Sequence, residues 1–135
     1  MKKIRAYIFS RPFLGERAPQ HIQNLVIREY CSRMNLQYLL SLVEYCFDNS
    51  SLMVEKALDE LNKIDGIIFY SLYQMPSHKK ERKNLYEKIL KKKKELHFAL
   101  EEITVNNLKS AEHVENIYLI KQTLPHCLEN FGTKE

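Results

Sequence analysis

The sequence predicts a single-domain α/β fold, a three-layer sandwich built on a mainly parallel sheet of about four strands. Strand-like and helix-like segments alternate four times along the chain, an order typical of a parallel sheet with helices on both faces. The 135 residues match the usual size of one domain, and apolar residues make up 44% of them. Three Gly and four Pro are too few for a fibrous or linker-like chain.

The predicted strands are runs of β-branched, aromatic and other apolar residues that end at turn signals. Residues 3–10, KIRAYIFS, alternate in polarity and stop before Pro12, which cannot donate to a ladder. Residues 36–45, LQYLLSLVEY, are apolar enough to predict burial on both faces. The remaining two predicted strands are IIFYSL at 67–72 and ELHFALEEI at 95–103.

Four helices are predicted between and after these strands from apolar residues at helical spacing. They cover residues 19–35, about 49–62, 78–94 and about 110–130. Pro125 is expected to kink or split the last helix. The broad apolar stripe of that helix closes the sheet of its own subunit or docks on a second subunit, and we expect a homo-oligomer.

The basic charge is concentrated in one segment. Residues 79–94 carry nine Lys/Arg and two Glu, whereas the whole chain has a net charge of only +4. The run Lys91–Lys94 is either a patch for nucleic acid or anionic lipid, or a solvated helix face. Lysines at a helix C-terminus complement the helix dipole, and aromatic stacking partners are few. The sequence therefore favours a solvated face, and nucleic acid is not expected as a partner.

Several classes of protein and site have no signal in the sequence. No apolar run approaches the roughly 20 residues of a membrane span, and no apolar signal core follows the N-terminal lysines, so a cytoplasmic location is expected. Cys31, Cys46 and Cys127 are odd in number and widely spaced, which indicates neither a disulfide framework nor zinc. No metal or cofactor is expected, because histidine pairs and glycine-rich phosphate loops are missing.

Polar residues follow the carboxyl ends of the predicted strands, where parallel sheets bind ligands. Ser10, Arg11, Arg17 and Gln20 follow the first strand, and Glu44 and Ser50 lie at the end of the second and beyond it. Ser71, Tyr73 and Gln74 lie at the end of the third strand and beyond it, and Glu101 lies near the end of the fourth. We expect these residues to form one site.

The side-chain chemistry of this edge suits an anionic sugar, either a sugar phosphate or a nucleotide-sugar. Arg11 and Arg17 offer planar forks to a phosphate or carboxylate, unless they pair with neighbouring glutamates. Tyr73 offers a ring face with a hydroxyl, and Gln74 a donor and an acceptor. Glu44 and Glu101 form a candidate acid–base pair, with ordinary surface glutamates as the alternative. Ser10 is a candidate nucleophile without a base next to it in sequence.

Residues 4–103 resemble in outline the catalytic domain of serine recombinases (resolvases). The resemblance rests on Arg5-Ala6-Tyr7 opening a strand and on DGIIFYSLYQMPSHKKERKNLYEKILKKKKELHFALEEI. It implies a resolvase-like or flavodoxin-like topology. Phe9 and Arg11 stand where that family has an arginine and its nucleophilic serine, and Tyr73-Gln74-Met75-Pro76-Ser77 replaces an arginine-rich loop. Because phosphodiester attack needs those arginines, recombinase activity is not expected.

The chain also resembles the sporadic carbohydrate cluster family of short bacterial proteins. The resemblance rests on RAYIFSRPFLGERAPQHIQNLVIREYC, LDELNKIDGIIFYSL and KELHFALEE. It implies a role in bacterial surface-polysaccharide biosynthesis, such as O-antigen or capsule. That role is either a small carbohydrate-modifying enzyme or a non-catalytic module that holds a partner enzyme of the pathway. A degenerate recombinase-like nucleic-acid-binding protein is the further alternative.

Overall fold

The computed structural model describes residues 1–9, 19–44, 56, 58–76 and 78–132, with side chains described except at 9, 44 and 121–132. Its five strands are β1 (Lys2–Phe9), β2 (Leu36–Glu44), β3 (Gly66–Phe69), β4 (Glu95–Phe98) and β5 (Ile103–Val105). They form one sheet in the order β2-β1-β3-β4-β5. Strands β1 to β4 all run parallel to one another, and β5 is antiparallel to β4.

Three helices pack around this sheet in the described part of the chain, which confirms the predicted α/β fold. They are α1 (Gln20–Arg33), α2 (Lys79–Lys91) and α3 (Leu108–Gly132). The helix predicted at about 49–62 lies largely outside the described residues. Helix α3 runs as one helix through position 125, so the predicted split does not occur. Its start is fixed by Asn107, whose Oδ1 accepts from the Ser110 amide at 2.8 Å.

Alternating residues of the sheet build two apolar layers. Ile4, Ala6 and Ile8 of β1 pack toward Ile27 of α1 in one layer. Tyr7, between them in sequence, belongs to the other layer with residues of α2 and α3. The second layer contains Phe69, Phe98, Leu85, Ile89 and Val114. This arrangement is the predicted three-layer sandwich.

The segment predicted as a fourth strand is a hairpin, which makes five strands where about four were predicted. After Phe98 the chain turns through residues 99–102 and returns as β5. The Ala99 and Leu100 amides donate to the carbonyls of Phe69 and Tyr70 at 3.0 and 2.8 Å, so the turn is held by the preceding strand segment. Glu102 adopts φ 57° to close the turn. Glu101 therefore lies in a turn and does not end a parallel strand.

Strand β2 is the edge of the sheet, so the prediction that both its faces are buried is wrong. None of its described side chains is buried, and Leu40 is 76% exposed. The ladder pairs Arg5 with Leu39 but Tyr7 with Leu42, so β2 carries one extra residue in a β-bulge. Arg5 Nη1 donates to the Leu40 carbonyl at 2.9 Å.

The described residues include no helix that is long and apolar enough to cross a membrane.

Candidate functional site

The four parallel strands end at one edge of the sheet, here called the carboxyl edge. The structure describes five predicted site residues at or near it: Gln20, Ser71, Tyr73, Gln74 and Glu101. Predicted residues Ser10, Arg11, Arg17 and Ser50, and the side chain of Glu44, lie outside the described part. The predicted anion site and the Glu44–Glu101 pair therefore stay predictions.

Glu101 is bound to the loop that follows β3. Its Oε2 accepts from the Ser71 hydroxyl at 2.8 Å and its Oε1 from the Leu72 amide at 2.9 Å. Ser71 Oγ also accepts from the Tyr73 amide at 3.3 Å and caps the 3₁₀ turn Leu72–Gln74. Sequence reasoning placed Ser71 and Glu101 in one site, and the structure brings them into direct contact. Both carboxylate oxygens of Glu101 are engaged in holding the loop.

Gln74 joins the same loop to helix α1. Its Oε1 accepts from the Tyr70 amide at 3.1 Å, and its Nε2 donates to Gln23 Oε1 at 2.8 Å. The Gln23 and Gln74 residues are 0% and 1% exposed. Paired amides of this kind satisfy buried polar groups that would otherwise be costly. Gln74 thus fixes α1 against the loop, while Gln20 lies exposed at the first residue of α1.

Tyr73 presents its ring to helix α3. Its centroid lies 5.4 Å from that of Tyr118, and the residue is half-buried. Burial raises the pKa of Tyr73, so its hydroxyl stays protonated well above neutral pH.

Arg82 of α2 connects the loop to both C-terminal helices. Its Nε and Nη2 donate to the two carboxylate oxygens of Glu115 at 2.9 and 3.1 Å, and its Nη1 donates to the Pro76 carbonyl at 3.2 Å. The guanidinium carbon lies 3.9 Å from the ring centroid of Tyr118. Tyr86 donates to Glu115 Oε2 at 2.6 Å. Burial raises the pKa of Glu115, but the hydrogen bonds from Arg82 and Tyr86 outweigh it and hold that pKa below its usual value.

The solvent side of α2 and the turn after it form a surface that we call the lysine surface. It carries seven exposed lysines and two exposed glutamates, Glu81 and Glu87. These lysines are Lys79, Lys80, Lys83, Lys88, Lys91, Lys92 and Lys93. Within the described residues none of them makes an ion pair. A surface of this charge attracts polyanions.

No group of three or more metal-ligating side chains occurs in the part of the chain that the structure describes.

Two solved structures are similar to this one over nearly their whole length. The N-terminal catalytic domain of TP901-1 integrase has 13% sequence identity and a TM-score of 0.60, covering 91% of this chain and 98% of that one. A resolvase family site-specific recombinase from Streptococcus pneumoniae has 8% identity and a TM-score of 0.63, covering 98% and 99%. At these identities the likeness shows the fold, and the predicted resolvase-like topology is confirmed.

Comparison with family models and with curated proteins gives no match. The resemblance to the sporadic carbohydrate cluster family therefore stays a prediction, as do its implications for polysaccharide biosynthesis.

Proposed function

We propose that this protein is a recombinase-fold module that binds nucleic acid through the lysine surface and does not cut it. The observation that carries the proposal is the set of seven exposed lysines without an ion pair in the described residues. Support comes from the two structures of the same fold, one named as the catalytic domain of an integrase and the other as a site-specific recombinase. The solvated-face interpretation that the sequence alone favoured is the alternative that a DNA-binding measurement distinguishes.

The described residues of the carboxyl edge do not supply the cluster of cations that phosphodiester cleavage requires. A transferring phosphoryl group needs preorganised cations around its oxygens. Arg82, a buried arginine that contacts the loop after β3, is committed to Glu115 and Pro76. The described part of that loop carries Ser71, Tyr73 and Gln74 and is fastened by the acidic Glu101. Binding without cleavage is the activity that fits these residues.

Lysine–phosphate contacts of this kind give salt-sensitive, sequence-independent affinity. Each neutralised phosphate of a duplex lowers the logarithm of the binding constant by about 0.9 per decade of salt. One helix face engages about four phosphates, so we expect a slope near −4 and a Kd of roughly 10 to 100 μM at physiological salt.

Fluorescence anisotropy with a short labelled DNA duplex tests this proposal. The variant Lys83→Gln/Lys88→Gln/Lys91→Gln is expected to lose about ten-fold or more in affinity at low salt, and about three units of the slope. Lys56→Gln/Lys63→Gln/Lys109→Gln removes the same charge from exposed lysines outside the surface and is the matched control. Equal losses in both variants, or no binding by the wild type at about 20 mM salt, would refute the lysine surface as a nucleic-acid site.

A second candidate function is binding of an anionic sugar at the carboxyl edge, favoured by the half-buried ring of Tyr73 that lies there. Ligands of parallel sheets bind at this edge. Thermal-shift measurements with nucleotide-sugars and sugar phosphates test it. This candidate is supported if the ligand no longer stabilises Arg11→Ala/Arg17→Ala but still stabilises the lysine-surface variant. The anion site is refuted if the ligand stabilises Arg11→Ala/Arg17→Ala as much as the wild type.

A further inference from the structure

An acid–histidine–hydroxyl chain lies at the opposite edge of the sheet, where the parallel strands begin. Glu95 Oε2 lies 3.0 Å from His97 Nε2, and His97 Nδ1 lies 3.1 Å from the Thr104 hydroxyl. Glu95 and His97 share one face of β4 because they are two residues apart. Thr104 is the direct partner of His97 in the antiparallel β4–β5 ladder. The hairpin thus assembles three chemically linked side chains.

The neighbours of this chain fix its proton positions. Lys2 Nζ pairs with Glu95, so the carboxylate is held charged against the Nε2 side of the imidazole. Tyr30 of α1 contacts His97 Nδ1 at 3.0 Å and Thr104 Oγ1 at 3.1 Å. His97 is 3% exposed. With Nε2–H donating to Glu95, Nδ1 is the basic nitrogen and faces the two hydroxyls.

A cavity of about 420 Å³ opens beside this chain. Thr104 is half-buried and lines it, whereas Tyr30 is 1% exposed and does not. Met34 and Leu36 supply an apolar wall, and Lys2 and Asn35 supply donors. The volume suits a small organic molecule rather than a polymer.

We propose that Thr104 is an acyl-accepting nucleophile for small esters or thioesters, with His97 as its general base and Glu95 as the positioning residue. The inference stands on the amino edge of the sheet and is independent of nucleic-acid binding by α2.

The covalent step balances without a further reactant. The Thr104 oxygen attacks the ester carbonyl, its proton passes to His97 Nδ1, and a new bond joins that oxygen to the acyl carbon. The bond from the acyl carbon to the leaving oxygen or sulfur then breaks, and His97 returns the proton to the leaving group. Glu95 stabilises the imidazolium formed in between, as the acid does in serine-type triads. Water then attacks the acyl carbon of the Thr104 ester while His97 Nδ1 takes its proton. The bond from the acyl carbon to the Thr104 oxygen breaks, that oxygen takes the proton back from His97, and the free acid leaves.

The protonation states at neutral pH are those that the step needs. Burial lowers the pKa of His97, so the imidazole is neutral and able to accept a proton. Burial raises the pKa of Tyr30, which therefore keeps its proton and serves as a donor within the cluster. The charged groups that face His97 are Glu95 and, beyond it, Lys2.

Reaction with p-nitrophenyl acetate tests the proposal. The full chain is expected to release p-nitrophenolate in a burst, and peptide mass mapping should find one acetyl group on Thr104. Thr104→Val keeps the shape of the side chain and should lose both the burst and that label, a drop in rate of about ten-fold or more. Thr104→Ser should keep both. The wild-type rate should rise with pH through the pKa of His97, below about 6.5, and Glu95→Gln should shift that rise.

Far-UV circular dichroism and the Tm of each variant show whether the fold is intact, and Thr104→Ser is the rescue variant. Lysine acetylation by the reagent occurs equally in every variant and is separated by the mapping. An acetyl label confined to lysines, or equal bursts in the wild type and Thr104→Val, would overturn the proposal. Either result would show that Glu95, His97 and Thr104 only stabilise the hairpin.

Discussion

Glu115→Gln is the substitution whose effect the structure determines most directly. Arg82 and Glu115 form a bidentate pair whose side chains are 4% and 21% exposed. The substitution keeps the shape of residue 115 but leaves the guanidinium of Arg82 buried without its counter-charge. It also replaces the charged acceptor of the Tyr86 hydroxyl with a neutral amide.

The expected cost is about 3 kcal/mol in the free energy of unfolding. Breaking a buried ion pair by removing one partner typically costs about 3–5 kcal/mol. The lower end applies because water reaches one fifth of Glu115 and glutamine retains a carbonyl acceptor. For a chain of this size, about 3 kcal/mol lowers the Tm by roughly 10 °C.

Urea unfolding followed by circular dichroism measures this loss at pH 7, with Glu112→Gln as the matched control. Glu112 is exposed one turn earlier on α3, and its substitution should change stability by less than about 0.5 kcal/mol. The Glu115 pKa is depressed in the folded state, so its stabilisation is present above the unfolded value of 4.5 and is lost as the pH falls through the folded value. The difference between wild type and Glu115→Gln should therefore shrink in strong acid. A loss below about 1 kcal/mol at pH 7 would show that the pair does not hold α2 to α3.

Two further predictions concern β3 and β4. Burial lowers the pKa of His97 in the folded state from its ordinary value of 6.5, so below that pH the folded protein binds fewer protons than the unfolded chain. The free energy of unfolding therefore falls as the pH falls below 6.5, by at most about 1.4 kcal/mol per pH unit. This slope, measured as urea midpoints at about pH 7 to 5, should be missing in His97→Gln, and an identical slope in both proteins would contradict it. Gly66→Ala should destabilise the protein by about 3 kcal/mol or more, because a Cβ there would lie 2.3 Å from the Glu95 carbonyl oxygen and force β3 and β4 apart. A Tm within about 2 °C of the wild type would show that the strands separate freely.

The sequence predicts the parts of this fold that local pattern encodes. The alternation in KIRAYIFS placed β1 within one residue of both its ends, whereas the run IIFYSL placed the start of β3 within one residue and its end three residues too late. Helix α1 was predicted equally well, because apolar residues recur at helical spacing from Ile22 to Met34.

The errors arise where long-range contacts decide the structure. The turn at 99–102 has no Gly, Pro or Asn, and it is held by carbonyls at the end of β3. For β2, the apolar composition suggests a central strand, but its place at the edge follows from sheet order, which composition does not reveal.

The site shows the same division. Ser71 and Glu101 could be predicted as neighbours because parallel strands share an edge. Gln23 was not among the predicted site residues, since its partner Gln74 is 51 residues away. The Glu95–His97 spacing on one strand face was visible in the sequence, but Thr104 joins them only once the hairpin is known.

The bulge in β2 bears on how this protein behaves at high concentration. An apolar edge strand of nine residues would template the addition of further chains and lead toward fibrils. The extra residue bends the strand at its centre and breaks the regular ladder that an incoming chain would extend. Arg5, which donates to the Leu40 carbonyl at this point, therefore secures an irregularity that works against edge-to-edge polymerisation.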